Sequence, residues 1–310
     1  MDDSRPMRPP PLPQRGQGAI RLFRFAGINV FLHWSWFLVA LIEINQRKNS
    51  YSSLAWNIAE YVTLFAIVLM HEFGHALACR SVGGTAERIV LWPLGGIAFV
   101  NPPPRPGALL WSIAAGPLVN AVLVPVFYVA AFALRHVHIA SEFPDFYRFV
   151  RMVANINLVL LVFNMLPIYP LDGGQILRAL LWFPLGRSRS LRVASIIGMV
   201  GGVAMIGLAV FAQSVWIGVL AAFVLSLCWQ GFKQAGLLRD LSETPSHRDY
   251  ACPSCGAPPP RGAFWKCDNC GTAFDTFEQQ SICPKCGKTH DATACAHCGR
   301  TNPFTAWRKG

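Results

Sequence analysis

Apolar residues run along this chain in long blocks, not at the short periods of a soluble amphipathic helix or strand. The longest block, residues 193–232, holds forty positions without one charged side chain. That is about twice the ~20 residues that cross a bilayer as a helix. Gln213 and Ser214 stand at its middle, so the block reads as two helices joined by a tight turn. Residues 108–134 are also free of charge and long enough to span, and residues 25–42, 58–79 and 152–166 are further candidates. The pattern predicts an α-helical polytopic membrane protein with about six transmembrane helices, contained in residues 25–240. After about residue 236 the apolar blocks stop, and LSETPSHRDY (residues 241–250) reads as a linker to a small second domain.

Composition agrees with a bilayer setting, with 53% hydrophobic and 14% charged residues. Residues 1–24 are polar, basic and proline-rich (RPPPLPQRG), which reads as a disordered or polyproline-type arm and not as a secretory signal. The formal charge of +11 would suit a nucleic-acid binder, but in a membrane protein basic residues more often report topology. Arg5, Arg8, Arg15, Arg21 and Arg24 precede the first candidate span. Arg178, Arg187, Arg189 and Arg192 precede the long block, and Lys233 and Arg239 follow it. With six spans these clusters all fall on the cytoplasmic side, and so do both termini. The basic residues between Arg135 and Arg151 run against this assignment.

Residues 251–300 hold four CxxC pairs: Cys252/Cys255, Cys267/Cys270, Cys283/Cys286 and Cys295/Cys298. So short a segment cannot fold on an apolar core alone and needs cross-links or metal. Each pair offers two thiolates to one ion, and each is followed by a glycine where a tight turn would need one. The segment resembles a double zinc ribbon with two structural zinc ions, the simplest pairing of knuckles being sequential and a crossed one staying open. A zinc-held domain also suits a reducing cytoplasm. It lacks the basic stripe interleaved with aromatics that nucleic-acid binding would show, so a regulatory protein is the expected partner at the ribbons. His290 and His297 read as surface residues, residues 301–310 as a tail, and Cys79 and Cys228 as small buried apolar side chains.

HEFGH, residues 71–75, fits the HExxH pattern. On a helix His71 and His75 lie one turn apart on one face, so both imidazoles reach one zinc, with Glu72 placed to take a proton from water. Ionisable groups in a membrane segment point to function by default. A catalytic zinc wants a third protein ligand. Asp172, in FNMLPIYPLDGGQILRALL, is what such a ligand would look like: Pro167 and Pro170 break the preceding span, and Gly173 and Gly174 keep the following backbone permissive. The plainer reading of Asp172 is a cap on a helix that starts near Gln175.

HEFGH together with NMLPIYPLDGG resembles the site-2 protease family of intramembrane metalloproteases. LWPLGGIAF resembles the membrane-associated strand region that follows the zinc helix in that family, and AAGPLVN its glycine-and-asparagine motif on the next span. The resemblance covers about residues 25–236 and is strongest to the compact sporulation-type branch. Cysteine pairs stand where members of that branch often carry a nucleotide-sensing tail. The resemblance implies one catalytic Zn2+ held by His71, His75 and Asp172, with Glu72 as catalytic base. It implies a small membrane-associated β element, with Asn120 and Asn164 facing the site. Gly95 and Gly96 would lie on an edge to which an unwound substrate adds as a strand. His33 reads as an interfacial residue among tryptophans. The expected function is a zinc endopeptidase cutting transmembrane segments of membrane proteins near the cytoplasmic face, in regulated intramembrane proteolysis. The alternatives are a non-catalytic membrane scaffold that recruits partners through its ribbons, and an ion carrier. A carrier would show repeated halves, and no internal repeat is visible.

Overall fold

The first described element is a strand where the arm was expected to continue. The computed structural model describes residues 18–47, 49–92 and 95–308, so residues 1–17 of the expected arm lie outside it. Strand β1 (Ala19–Phe25) pairs antiparallel with β2 (Ile28–His33). The loop between them is Ala26-Gly27, with φ of 48° and 76°. A two-residue loop with positive φ at both positions matches the twist of the flanking strands. Strand β2 continues the sheet in parallel to β3 (Thr85–Trp92), which pairs antiparallel with β4 (Gly95–Asn101). The order is β1-β2-β3-β4, which leaves β4 at an edge.

This sheet accounts for one departure from the expected spans. Residues 28–33 alternate buried and half-buried along INVFLH, the period of a strand. Helix α1 (Ser35–Gln46) has only 12 residues, about 18 Å long against a hydrocarbon core of ~30 Å. Residues 25–42 are therefore not a straight transmembrane helix. Five described helices are long and apolar enough to cross: α2 (Leu54–Ser81), α3 (Pro106–His136), α5 (Pro144–Asn164), α6 (Asp172–Phe211) and α7 (Val215–Glu243). The short α4 (Ile139–Glu142) joins α3 to α5. The turn expected at Gln213 and Ser214 separates α6 from α7, with Gln213 at a φ of 49°. Helix α6 is itself interrupted at Gly186, where φ is 78°.

One face of the sheet seats α2. Ile28, Val30, Leu32, Ile89 and Leu91 form a single buried cluster with Val68 and Ala76 of that helix. His33 lies between Trp34 and Trp92 and stacks on the Trp92 ring at 4.1 Å. Cys79 and Cys228 are fully buried, as expected of small apolar side chains.

The second unit contains residues 233–310. Its four CxxC turns share one geometry. The N–H of each following glycine donates to the carbonyl of the first cysteine: Gly256 to Cys252, Gly271 to Cys267, Gly287 to Cys283 and Gly299 to Cys295, at 2.7–2.9 Å. The four glycines have φ of 70–73°, where a Cβ would be strained. Two short hairpins, β5 (Trp265–Lys266) with β6 (Ala273–Phe274) and β7 (Ala292–Ala294) with β8 (Thr301–Pro303), frame the second and fourth turns.

The pairing of turns is nested. Cys252, Cys255, Cys295 and Cys298 form one set, and Cys267, Cys270, Cys283 and Cys286 the other. Sulfurs of different turns meet at 3.8 Å in the first set, in Cys252–Cys298 and Cys255–Cys295, and at 3.6 Å in the second, in Cys267–Cys286 and Cys270–Cys283. A disulfide would need ~2.05 Å. A tetrahedral zinc with ~2.3 Å bonds gives edges of about 3.8 Å. The two ends of the cysteine segment meet. Trp307, in a 3-10 turn (Phe304–Trp307), is 1% exposed and packs with Phe277, Cys252 and Cys295. Its carbonyl accepts from the Ala251 N–H, so the first and last turns close together around it. Within the segment read as a tail, Phe304 and Trp307 pack in this core. Asp275 accepts from the N–H groups of Gly262, Phe277 and Glu278 and from the His247 ring. Burial pushes its carboxyl up, yet these donors more than offset burial and hold it below the usual carboxylate range. His290 and His297, read as surface residues, are half-buried, and neither belongs to a four-cysteine set.

The nested pairing is testable by counting metal. Replacing Cys252, Cys255, Cys295 and Cys298 together by Ser should leave one ribbon zinc per chain by elemental analysis. Replacing Cys252, Cys255, Cys267 and Cys270 should leave none, and the opposite pattern would restore the sequential pairing.

Candidate metal centre

Helix α2 brings His71 and His75 to one face, four residues apart, with their rings edge to face at 4.7 Å. Their Nε2 atoms are 3.1 Å apart. Asp172 completes the triangle, its Oδ2 lying 3.0 Å from His71 Nε2 and 3.4 Å from His75 Nε2. All three side chains are buried or nearly so.

Asp172 reaches this point because of how α6 begins. The helix starts at Asp172 itself, with Leu171 as its cap and no side-chain capping bond. The carboxylate therefore does not cap a helix near Gln175; it turns to the two imidazoles instead. The glycines behind it serve close approach. A Cβ on Gly173 would lie 2.4 Å from the Met165 carbonyl oxygen, and one on Gly174 2.3 Å from the Tyr169 nitrogen. Neither glycine has a positive φ, so backbone permissiveness is not their role here.

The geometry fits a metal ion. Zinc with bonds of about 2.0–2.1 Å to two imidazole nitrogens and a carboxylate oxygen would set tetrahedral ligand-to-ligand edges of about 3.3 Å. The observed edges run from 3.0 to 3.4 Å. The atoms facing away from the triangle are also occupied. His71 Nδ1 meets Asn120 Oδ1 at 2.6 Å, and His75 Nδ1 meets the Ser112 carbonyl oxygen at 2.9 Å. Such outer partners fix the orientation of ligating imidazoles.

Glu72 is 5% exposed, and its Oε2 accepts from the Ala98 N–H of β4 at 2.8 Å. The β4 edge thus faces the site. Two glycines keep the space open: a Cβ on Gly96 would lie 2.2 Å from Glu72 Cγ, and one on Gly116 2.2 Å from His75 Nε2.

The structure brings His71, Glu72, His75 and Asp172 together, with Asn120 joined to them at His71. Gly95 and Gly96 open β4, paired with Trp92 and Leu91. Asn164 is the last residue of α5 and is half-buried. The asparagine of α5 that connects to the site is Asn157, which accepts from Asn120 Nδ2 at 3.1 Å. Sequence reasoning missed it. The available signal was an uncharged polar residue seven positions, about two turns, before Asn164 on the same apolar helix.

Comparison with known proteins points the same way. The model of Peptidase family M50 matches residues 59–146 and 137–208, a stretch that contains all four site residues. The chain is 34% identical over 186 residues to the zinc metalloprotease MJ0392 of Methanocaldococcus jannaschii, covering 58% of this chain and 50% of that protein. It is 28% identical over 229 residues to Rip3 of Mycobacterium tuberculosis, covering 67% of this chain and 57% of that protein. A solved site-2 protease from Methanocaldococcus jannaschii is 26% identical, with a TM-score of 0.48, over 69% of this chain and 95% of that one. The chain spans about half the length of the curated relatives it matches. With five apolar helices it is a multi-pass integral membrane protein. Over residues 59–208 the chain therefore matches peptidase family M50, and it is similar to these zinc metalloproteases.

Proposed function

We propose that this chain is an intramembrane zinc metalloendopeptidase that hydrolyses peptide bonds in transmembrane segments of membrane-protein substrates. The observation that carries the reading is the convergence of His71 Nε2, His75 Nε2 and Asp172 Oδ2 within 3.4 Å of one another beside a buried Glu72. His71, His75 and Asp172 would hold the catalytic zinc. When bound, zinc polarises a carbonyl and lets a water lose its proton near neutral pH.

The chain's own residues supply the rest. Glu72 accepts the proton from the attacking water and returns it to the leaving amine. The Ala98 N–H holds one carboxylate oxygen, so the side chain keeps one orientation through both transfers. A substrate helix hides its carbonyls in internal hydrogen bonds and must unwind at the cut. The open edge of β4, which begins at Gly95 and Gly96, can pair with the unwound stretch as an added strand next to Glu72. The eight ribbon cysteines would hold two structural zinc ions, and the ribbons would receive a regulatory protein partner. The basic clusters favour both termini in the cytoplasm.

Two variants test the chemistry. Glu72→Gln should keep its zinc by elemental analysis yet cleave single-span membrane proteins about 10²–10⁴-fold more slowly. Matched membrane proteomes should then show uncut substrates accumulating; unchanged cleavage would sink the reading. Gly96→Ala puts a methyl against Glu72 without touching a ligand. It should slow cleavage by up to ~10²-fold with zinc retained, as misplacement of a reacting group does.

A further inference from the structure

Three buried polar side chains on three helices form a chain of hydrogen bonds whose direction is fixed at one end. Asn157 Nδ2 on α5 lies 3.2 Å from the Val153 carbonyl oxygen. A carbonyl oxygen only accepts, so the Asn157 amide must present its NH2 there and turn Oδ1 the other way. That Oδ1 receives Asn120 Nδ2 of α3 at 3.1 Å. The Asn120 amide is thereby oriented too, and its Oδ1 faces His71 Nδ1 at 2.6 Å. An amide oxygen also only accepts, so the proton of the neutral His71 imidazole sits on Nδ1 and the Nε2 lone pair points to Asp172 and His75. Both asparagines are fully buried, so no water competes for these bonds.

From this we infer that Asn157 is a positioning residue for the metal site, setting the tautomer of His71 through Asn120 while its own hydrogen bonds go to Asn120 and Val153. The inference rests on the reading of His71, His75 and Asp172 as a metal triad. Without the Asn157 oxygen behind it, the Asn120 amide loses a group that distinguishes its two faces. Turned over, it offers NH2 to Nδ1, favours the proton on Nε2, and removes the lone pair that a metal needs. His75 needs no such relay, because its Nδ1 meets the Ser112 backbone carbonyl, which cannot turn over.

The test is cobalt(II) titration of the full metal-free chain against a competing chelator. Thiolate-to-cobalt absorption reports the cysteine sets, and ligand-field bands of lower intensity report the histidine-aspartate site. Asn157→Leu keeps the side-chain size and removes the relay. It should weaken cobalt binding at the histidine site by about tenfold or more while the cysteine bands stay unchanged. Asn120→Asp placed on top of Asn157→Leu should restore most of that affinity. A carboxylate has only acceptor oxygens, so it accepts from the Nδ1–H group whatever stands behind it. Loss without rescue would mean that Asn157 acts only by packing α5 against α3, and would overturn the inference, as would Asn157→Leu binding like the parent. If Asn157→Leu does not fold, Asn157→Ala is read in the same way. A parent chain that takes cobalt at its cysteines only would overturn the metal triad itself, and this inference with it.

Discussion

A bilayer interior is poor in water, so His71, Glu72, His75 and Asp172 cannot be placed there unless every polar atom finds a partner. Much of the helical unit answers that constraint. Two imidazole nitrogens and a carboxylate oxygen face one another, and the opposite nitrogens are taken by Asn120 and the Ser112 carbonyl. The Ala98 N–H takes one oxygen of Glu72. A cation at the centre of the triangle would neutralise the carboxylate and engage both Nε2 lone pairs. Under the proposed function, the arrangement that makes burial tolerable is the same one that would make hydrolysis feasible.

The fold delivers these groups through close backbone approach. Gly116 lets α3 come against His75, Gly96 lets β4 come against Glu72, and Gly173 and Gly174 let α6 begin against residues 165–169. A methyl group would press on His75 or Glu72 at the first two points and on the backbone just before Asp172 at the other two. The four-stranded sheet has a matching double role. Its apolar face fixes α2 through Ile28, Val30, Leu32, Ile89 and Leu91, and its open edge at β4 lies beside Glu72.

The site was more legible in the sequence than the fold around it. HEFGH has a fixed spacing on a helix, and Asp172 stands at a conspicuous break marked by two prolines and two glycines, so both could be read locally. The helices at residues 108–134 and 193–232 were legible because a charge-free block of that length has little use outside a bilayer. Residues 19–33 were not, because Ile, Phe and Val serve a strand or a membrane helix equally well. The deciding signal was the small Ala26-Gly27 turn. Asn157 was hidden for a different reason. An asparagine in an apolar helix looks the same whether it bridges two helices or orients a ligand, and only the position of Asn120 distinguishes them. The nested cysteine pairing was equally out of reach, since four equivalent CxxC spacings carry no information about partners; the buried Trp307 that closes the first turn on the last sits beyond all of them.

The most direct measurement of the central claim is anomalous X-ray diffraction at the zinc edge on crystals of the full chain. The account predicts a peak inside the triangle of His71 Nε2, His75 Nε2 and Asp172 Oδ2, besides one in each four-cysteine set. Peaks at the cysteines alone, with the triangle closed by a proton shared between the imidazoles and the carboxylate, would contradict it.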